Sequence, residues 1–351
     1  MRAQISPRRL TVGINRRTLF TRAATGLAVA SVALAGLTGC GASADAGAGN
    51  AAAGQATKLR VAVAPIQFET AYIAQQQGMF KKQGLDVEIV NGADPAALLA
   101  QVVSGDVNIA IGSWINVATS VAKGLPVSVI GGNGMVDSKA ENSGVVVSKK
   151  SGITNLAGLK GKTIGVVGVK TGGDIPVLQA LEGAGINVND VKEVAVPYSG
   201  MQAALEQGTV DAVVPADSFY HQMIAAGFVS VSNPVREYQA NMPVTVWTAK
   251  KDWLATNAAP AEKFLAAMTE AVAFYKDPAN LAAVQKVNAT VNQIDVAKAP
   301  KAFVPADVTI NDKEAQAGID AMVHFGLLKK AETVADVLWS KAPRRASAEA
   351  K

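Results

Sequence analysis

The stretches LLAQVVSGDVNIAIGSW (98–114) and MQAALEQGTVDAVVPAD (201–217) decide the fold, because both follow the same pattern. In each, an apolar helical segment ends at a glycine. One residue, a valine and an Asn or Asp then lead into a short buried strand. When the two glycines are aligned, Trp114 falls opposite Asp217. A helix-then-strand unit that recurs in both halves of the chain predicts an α/β fold with two lobes.

Strand-like and helix-like segments alternate around these two stretches, which indicates parallel sheets flanked by helices. In the first half, the predicted strands are LRVAVA (59–64), LDVEIV (85–90), VNIAIG (107–112) and PVSVIGG (126–132), and the predicted helices are Tyr72–Lys82, Ala96–Ser104 and Ile115–Lys123. The pattern restarts at KTIGVVG (162–168), followed by a helix to Gly185, a strand near Val194, the helix Met201–Gln207, the strand VDAVV (210–214) and the helix Ser218–Ala226.

The loops that follow the predicted strands form the candidate binding site. A second internal alignment sets Thr70 and Thr171 at equivalent positions, each fourteen residues before a glycine, in a loop between strand and helix. Ligands of open α/β sheets bind beyond the carboxyl ends of the strands, so these loops are candidate walls of a cleft between the lobes. The candidate ligand-binding residues are Gln67, Phe68, Thr70, Ser113, Trp114, Thr171, Gly172, Gly173, Ser199 and Asp217. The alternative, that they are ordinary caps and turns, stays open from the sequence.

These residue types suit a small polar solute. The helix starts at Thr171–Asp174 and Ser199–Met201 expose backbone N–H groups with partial positive charge, which favours a sulfonate, a carboxylate or a similar anion. The Trp114 ring offers a flat apolar face, although an aromatic residue at that spacing also fits a core position. Asp217 would repel a bare anion such as nitrate, and it favours a solute that also carries an amine or other donors.

Cys40 is the only cysteine of the 351 residues, and it follows an export-like segment. Residues 1–39 contain six arginines and no acidic residue, and they end in an apolar run from Ala23 to Gly39. That run is short for a membrane span, which needs about 20 residues, so 1–39 are predicted to be a signal peptide. The pattern Leu-Thr-Gly-Cys resembles the lipobox of bacterial lipoproteins, which implies a lipid on Cys40. Residues 41–57 are predicted to be a flexible tether.

Removal of the signal peptide changes the charge balance of the protein. The whole chain has 33 basic and 28 acidic residues, and without the six N-terminal arginines the net charge is about −1. The alkaline balance of the full chain is therefore no evidence for nucleic-acid binding. The segment Asn15–Phe20, NRRTLF, looks like a twin-arginine export signal, and the expected location is the cell envelope, outside the cytoplasm.

Enzyme motifs are incomplete in this sequence. The segment GLKGKT (158–163) suggests a phosphate-binding loop, but that motif needs a glycine where Leu156 stands, and it should follow a strand rather than precede one. No G-x-S-x-G motif is present, and His221 and His324 are the only histidines. We therefore predict no enzyme activity, no catalytic residue, no cofactor and no metal site.

Several segments resemble the substrate-binding proteins of ABC importers, in the group that serves nitrate, sulfonates, taurine and thiamine-type pyrimidines. The resemblance covers about 58–335. Its segments are AQQQGMFKKQGLDVEIV (74–90), GLPVSVIGG (124–132), ITNLAGLKGKTIGVVG (153–168), LEQGTVDAVV (205–214) and VTVWTAKKDWLATN (244–257). It implies the type II periplasmic binding protein fold, with two α/β lobes joined by two crossovers near 145–150 and 243–250. A fungal pyrimidine-forming enzyme also has this fold. That enzyme looks like a cysteine-rich exception among these binding proteins, and this chain lacks its chemistry.

The resemblance also implies an organisation and a set of partners. Lobe 1 is expected at 58–148 and 246–340, lobe 2 at 149–245, and a disordered tail at 341–351. The expected function is capture of a sulfonate-like or taurine-like solute by a monomer, and delivery to a permease and its ATPase, without nucleic-acid binding. The alternatives are a thiamine-type pyrimidine or aromatic acid as solute, and a lipid-anchored sensory receptor subunit.

Overall fold

The computed structural model describes residues 56–64, 67–92, 95–139, 141–169, 173–330 and 332–345, without the side chains of 95–96 and 217–218. The predicted signal peptide, Cys40 and the tether up to residue 55 lie outside the described residues. Among the residues that the structure describes, no helix has both the length and the apolar character needed to cross a bilayer.

The described chain alternates strands and helices along most of its length. The strands are β1 (Thr57–Val63), β2 (Leu85–Asn91), β3 (Ile109–Ser113), β4 (Val127–Met135), β5 (Val145–Val147), β6 (Thr163–Val166), β7 (Lys192–Ala195), β8 (Ala212–Val213), β9 (Val229–Ser232), β10 (Pro243–Lys250), β11 (Ile310–Asn311) and β12 (Arg344–Arg345). The helices are α1 (Glu69–Gln76), α2 (Met79–Lys82), α3 (Pro95–Ser104), α4 (Trp114–Ala122), α5 (Ile175–Gly183), α6 (Tyr198–Glu206), α7 (Asp217–Ala225), α8 (Pro234–Gln239), α9 (Lys251–Thr256), α10 (Ala258–Lys276), α11 (Leu281–Asn292), α12 (Asp312–His324) and α13 (Val334–Val337).

Two five-stranded sheets define two α/β lobes with the same strand arrangement. The first sheet has the order β2-β1-β3-β10-β4, and the second has the order β7-β6-β8-β5-β9. In the first sheet β10 runs antiparallel to β3 and β4, and in the second β5 runs antiparallel to β8 and β9. Each lobe therefore takes its fourth strand from a segment that has just crossed over from the other lobe. The predicted α/β class with two lobes and two crossovers is confirmed.

The crossovers lie just before the segments that the sequence pointed to. Val145–Val147 and Pro243–Lys250 are strands inside the sheets, so the chain changes lobe in the residues that precede them. The two crossing segments are bonded to each other: the amide of Val136 donates to the Met242 carbonyl at 3.0 Å, and that of Asn241 donates to the Val136 carbonyl at 3.0 Å. The expected boundary at 148/149 is therefore wrong by a few residues, because buried β-branched strands like β5 read alike in either lobe.

Two other local expectations are corrected. The single helix predicted over Tyr72–Lys82 is two helices, separated at Gly78, whose φ of +70° is a left-handed conformation that ends α1. The tail expected to be disordered from residue 341 is ordered up to residue 345, because Arg344–Arg345 pairs in parallel with Ile310–Asn311.

An apolar contact joins the lobes next to the crossovers. Ile175, at the start of α5 in the second lobe, is fully buried in the same apolar cluster as Trp114 and Ile319 of the first lobe. At the far end of α5, the Glu182 carboxylate meets the ring of His324 on α12, with 2.8 Å between Oε2 and Nε2. The contact between α5 and α12 thus joins the second lobe to the first next to the crossovers.

Candidate functional site

The carboxyl edge of the first sheet brings together residues from three neighbouring strands. Thr245, near the start of the antiparallel strand β10, lies opposite Ser113 at the end of β3 and Gly134 near the end of β4. The loop after β1 joins this edge through Gln67. Of the predicted residues, Gln67, Thr70 and Ser113 therefore lie at one edge of the first lobe, where solutes of such sheets bind.

A buried hydrogen-bond network connects this edge. The Thr70 hydroxyl donates to Asn133 Oδ1 at 2.9 Å, and Asn133 Nδ2 donates to the Gln67 carbonyl at 2.8 Å and to Thr245 Oγ1 at 3.1 Å. The Gly134 amide also donates to Thr245 Oγ1, at 3.0 Å, and the Thr245 hydroxyl donates to Gln67 Oε1. Since Thr70, Asn133 and Thr245 are buried, each of these bonds offsets the desolvation of its polar groups.

An acidic side chain lies buried beside this network. Glu69, the first residue of α1, is 5 % exposed and accepts a hydrogen bond from Asn288 Nδ2 at 2.8 Å. Burial raises the pKa of the Glu69 carboxyl, and burial together with Glu69 raises the pKa of Tyr275. A cavity of about 10 Å³ lies among Gln67, Glu69, Thr70 and Tyr275, which is about the space that one water molecule needs.

The predicted residues of the second lobe follow three neighbouring strands of its sheet. Gly173 comes after β6, Ser199 is the second residue of α6 after β7, and Asp217 begins α7 after β8. Gly173 and Ser199 are exposed. Thr171 and Gly172 lie outside the described residues, as does the side chain of Asp217. The roles predicted for these residues stay predictions.

A carboxyl pair lies in the second lobe, between β7 and the start of α5. Burial, together with the charge of the neighbouring Asp174 and a hydrogen bond with it, raises the pKa of Glu193 to about 7. Asp174 has no exposed surface, and Glu193 Oε1 has no hydrogen-bond partner among the described residues. The raised pKa favours the protonated form of Glu193 up to near neutral pH, because two adjacent carboxylates away from water resist double ionisation.

Two aromatic rings stack at the same edge of the second lobe. Tyr198, the first residue of α6, and Phe219 of α7 have ring centroids 5.9 Å apart and an interplanar angle of 25°. Both side chains are half-buried, so part of each ring faces solvent. Partly exposed aromatic faces suit the apolar or planar part of a solute.

Two candidate residues belong to the core. Trp114 has no exposed surface and packs in an apolar cluster with Met242 and Ile319, so the expectation that it lines an open cleft is wrong in this structure. A Cβ built on Gly318 would be 3.4 Å from its indole nitrogen, which shows that the ring lies against α12. Phe68 is 2 % exposed and packs in the other cluster of the first lobe. Both aromatic rings are held by core packing.

A second, open cavity lies away from this edge. It has a volume of about 580 Å³ and borders Ser128 near the start of β4, Lys251 just after β10, and Trp339. This is the opposite end of the first sheet, where ligands of open α/β sheets do not bind. The carboxyl edge, with its convergent polar groups, therefore remains the candidate site.

Sequence reasoning missed the residues that organise both edges. Asn133 directly follows the predicted strand 126–132 and Thr245 lies in the segment predicted as the second crossover, and a single polar residue gives no signal of its own at either place. The largely apolar run PVTVWTAK (243–250), which is typical of a strand buried on both faces, could have marked Thr245 as a polar group inside the sheet. Tyr198 and Phe219 meet because α6 and α7, which follow the two strands on either side of β6, start at the same edge of the sheet. Pairwise sequence spacing does not reveal this.

Comparisons with known proteins agree with this fold. The family described as "NMT1/THI5 like" matches residues 66–280. A Haemophilus influenzae protein named for thiamine biosynthesis is 38% identical over 41% of this chain and 44% of its own length. A 4-amino-5-hydroxymethyl-2-methylpyrimidine phosphate synthase of Aspergillus parasiticus is 30% identical over 48% of this chain and 47% of its own length. The chain thus spans about half the length of these curated relatives.

Solved structures share the architecture at low sequence identity. The periplasmic aliphatic sulphonate binding protein SsuA from Escherichia coli matches with a TM-score of 0.66 and 17% identity, over 82% of this chain and 98% of its own. The periplasmic nitrate-binding protein NrtA from Synechocystis matches with a TM-score of 0.60 and 15% identity, over 83% and 86%. Both neighbours are binding proteins with the periplasmic binding protein fold. On the family match, which covers more than half of its residues, this chain belongs to the NMT1/THI5-like family.

Proposed function

We propose that this protein is the solute-binding component of an ABC importer, which captures a small organic solute between its two lobes and delivers it to a permease and its ATPase. The observation that carries the proposal is that each lobe has a carboxyl edge with polar or aromatic side chains, and that two crossovers bonded to each other join the lobes. Closure of two lobes about such a hinge buries the solute and creates the form that a transporter recognises.

The proposed solute is a sulfonate, a taurine-like zwitterion or a related small anion. The start of α6, where Ser199 is exposed, supports a negatively charged group, because the N-terminus of a helix carries a partial positive charge. The Asp174–Glu193 pair supports a solute that also carries donors or an amine. The neighbours named for sulfonate and nitrate have the same fold, but their identity to this chain is below 20%.

A thiamine-type pyrimidine is the second candidate solute. The curated relatives named for thiamine biosynthesis or a pyrimidine phosphate synthase are 30% and 38% identical over their aligned parts. The stacked rings of Tyr198 and Phe219 offer a flat surface for an aromatic heterocycle. Since these relatives include enzymes, binding without turnover is itself part of the proposal.

A panel of solutes tests the proposal directly. The purified protein should show a melting shift and calorimetric binding with one of taurine, an alkanesulfonate, nitrate, an aromatic acid or 4-amino-5-hydroxymethyl-2-methylpyrimidine. The compound should be recovered unchanged, because the proposed function is capture. Recovery of a phosphorylated or rearranged product would instead favour the synthase-like reading, and absence of binding across the panel would contradict these solute classes.

We further propose that the protein is exported, possessing a signal peptide over residues 1–39 and a lipid on Cys40, and that it acts as a membrane-anchored monomer. The sequence pattern LTGC and the basic, twin-arginine-containing start support this. Replacing Cys40 with Ser should move the protein from the membrane fraction to the soluble fraction without changing solute affinity. Mass spectrometry that finds a free thiol on an uncleaved chain would contradict the anchor.

A further inference from the structure

We propose that Asn133 and Thr245 are positioning residues that fix the Gln67 side-chain amide, so that the first lobe presents a donor, and no acceptor, from this group to the solute. The inference rests on the proposed function, because it assigns that donor to recognition of an acceptor atom on the solute. It follows from the number of protons that each group in the network possesses.

Thr245 determines which way the Gln67 amide points. A threonine hydroxyl has one proton and two lone pairs. Thr245 Oγ1 accepts from the Gly134 amide at 3.0 Å and from Asn133 Nδ2 at 3.1 Å, so both lone pairs are used. Its single proton therefore goes to Gln67, and only Oε1 of that amide can accept it. The side-chain oxygen of Gln67 is thus occupied by a hydrogen bond within the protein, and Nε2 is the group of this amide that remains available to a ligand.

Asn133 is fixed in the same way. Its Oδ1 accepts from the Thr70 hydroxyl at 2.9 Å, and its Nδ2 gives one proton to the Gln67 carbonyl at 2.8 Å and the other to Thr245. Rotating the Asn133 amide by 180° would place its oxygen against the Gln67 carbonyl, and two acceptors cannot form a hydrogen bond. The orientation of Asn133 therefore fixes one of the two donors to Thr245 Oγ1, and through Thr245 it fixes Gln67.

The backbone at Gln67 and the glycine at 134 bring the amide to Thr245. Gln67 has a φ of +51°, in the left-handed region that residues with a Cβ adopt rarely. Its amide lies against Gly134: a Cβ built there would overlap Oε1 and would be 2.7 Å from Nε2. A glycine at 134 is thus required for the amide to reach Thr245, and the bonds to its side chain and carbonyl offset the unfavourable backbone conformation.

A fixed donor selects among solutes. A sulfonate oxygen, a carboxylate oxygen or a pyrimidine ring nitrogen can accept from Nε2, whereas an ammonium group or another pure donor cannot. No described residue accepts a hydrogen bond from Gln67 Nε2. The group can therefore donate to the solute without breaking a hydrogen bond within the protein. Thr245 lies on β10, three residues after Met242 in the second crossover. The hydroxyl that orients the donor therefore belongs to the strand that returns from the other lobe.

Two buried threonines on β10, Thr245 and Thr248, allow the positioning of the Gln67 amide to be tested without a solute. In the full chain purified in detergent, the Gln67 side-chain NH₂ resonances are assigned by their loss in Gln67→Glu. Thr245→Val removes the hydroxyl that fixes the amide, so these resonances should move toward those of a freely rotating glutamine. Thr248→Val is the control, because Thr248 is equally buried on β10 but donates to the Ala110 carbonyl at 3.0 Å. Unchanged Gln67 resonances in Thr245→Val would overturn the proposal.

Affinity for taurine and for 4-amino-5-hydroxymethyl-2-methylpyrimidine tests recognition. For the probe that binds the unmodified chain, Thr245→Val should weaken binding about five- to tenfold relative to Thr248→Val, the range for one hydrogen bond. Gln67→Glu, which replaces the donor with an acceptor, should weaken it further. Equal affinities of the two threonine variants would overturn the positioning role. If neither probe binds the unmodified chain, these solutes fail for the proposed function, and the resonance comparison still decides whether the amide is fixed.

Discussion

The edges of the two lobes use opposite chemistry, although their sheets have the same strand order. The first-lobe edge is a network of uncharged groups around the buried Asn133 and Thr245, in which the side-chain donors of Thr70, Asn133 and Thr245 all have acceptors within the protein. The second-lobe edge combines the Asp174–Glu193 carboxyl pair, in which the pKa of Glu193 is raised to about 7, with two half-exposed rings. The shared strand order therefore determines where the two edges lie. The side chains then make the first-lobe edge rigid and allow the second-lobe edge to change its charge.

The largest expected effect concerns the aromatic residues of the two lobes. Trp114→Ala empties a fully buried position and should lower the free energy of unfolding by about 3 to 5 kcal/mol, the usual cost of such a cavity. Phe219→Ala removes a half-exposed ring, so it should lower the affinity for a planar solute with a much smaller loss of stability. Denaturant unfolding and calorimetry measure both quantities. A stable Trp114→Ala variant that has lost its solute would reverse the assignment of core and cleft.

A smaller effect is expected when a methyl group is added to the closely packed first-lobe edge. Gly134→Ala places a methyl group where the Gln67 amide lies, so either the amide or the strand must move. Overpacking of this kind costs about 1 to 3 kcal/mol, and the displaced donor should also reduce solute affinity. The control for stability is Gly200→Ala, because a Cβ there meets no atom closer than 3.7 Å. Equal stability of the two variants would show that the first-lobe edge is not rigid.

The second-lobe edge should make stability depend on pH. The Glu193 pKa is raised from 4.5 to about 7, so the folded state keeps a proton that the unfolded state releases between these values. Stability from this group is therefore fully present below pH 4.5 and is lost as the pH rises through 7. Glu193→Gln should flatten the melting curve against pH over this window, whereas Glu206→Gln, on the same lobe, controls for the loss of a negative charge. An unchanged profile in Glu193→Gln would mean that the pKa of Glu193 is not raised in the folded protein.

The smallest effect is expected at the ion pair between the lobes. His324 and Glu182 are 2.8 Å apart, but their side chains are 60% and 43% exposed, so salt and water screen the contact. His324→Ala and Glu182→Gln should each cost no more than about 1 kcal/mol, and the double variant should cost less than their sum. Scattering should show whether the ligand-free lobes then move apart. Additive losses would mean that the two residues do not interact across the lobes.

The sequence predicted the lobes better than the site. The repeated pattern at 98–114 and 201–217 was enough for two α/β lobes, because a glycine stop between an apolar helix and a strand is a local signal. It failed for Trp114, because an aromatic residue after a strand reads the same whether it faces the cleft or α12. It also missed Thr245, whose role depends on strands that are distant in the chain and on the direction of β10.

The exchange of strands between the lobes has a consequence for how the chain folds during synthesis. In the first sheet, β10 lies between β3 and β4, so those strands have no common neighbour until residue 250 has been made. The whole second lobe is synthesised in that interval. An N-terminal half released early would therefore expose two unpaired strand edges, which are sites of aggregation. Long-range pairing of this kind also slows folding. For the export proposed above, that delay is an advantage, since a chain that crosses a narrow channel has to be unfolded.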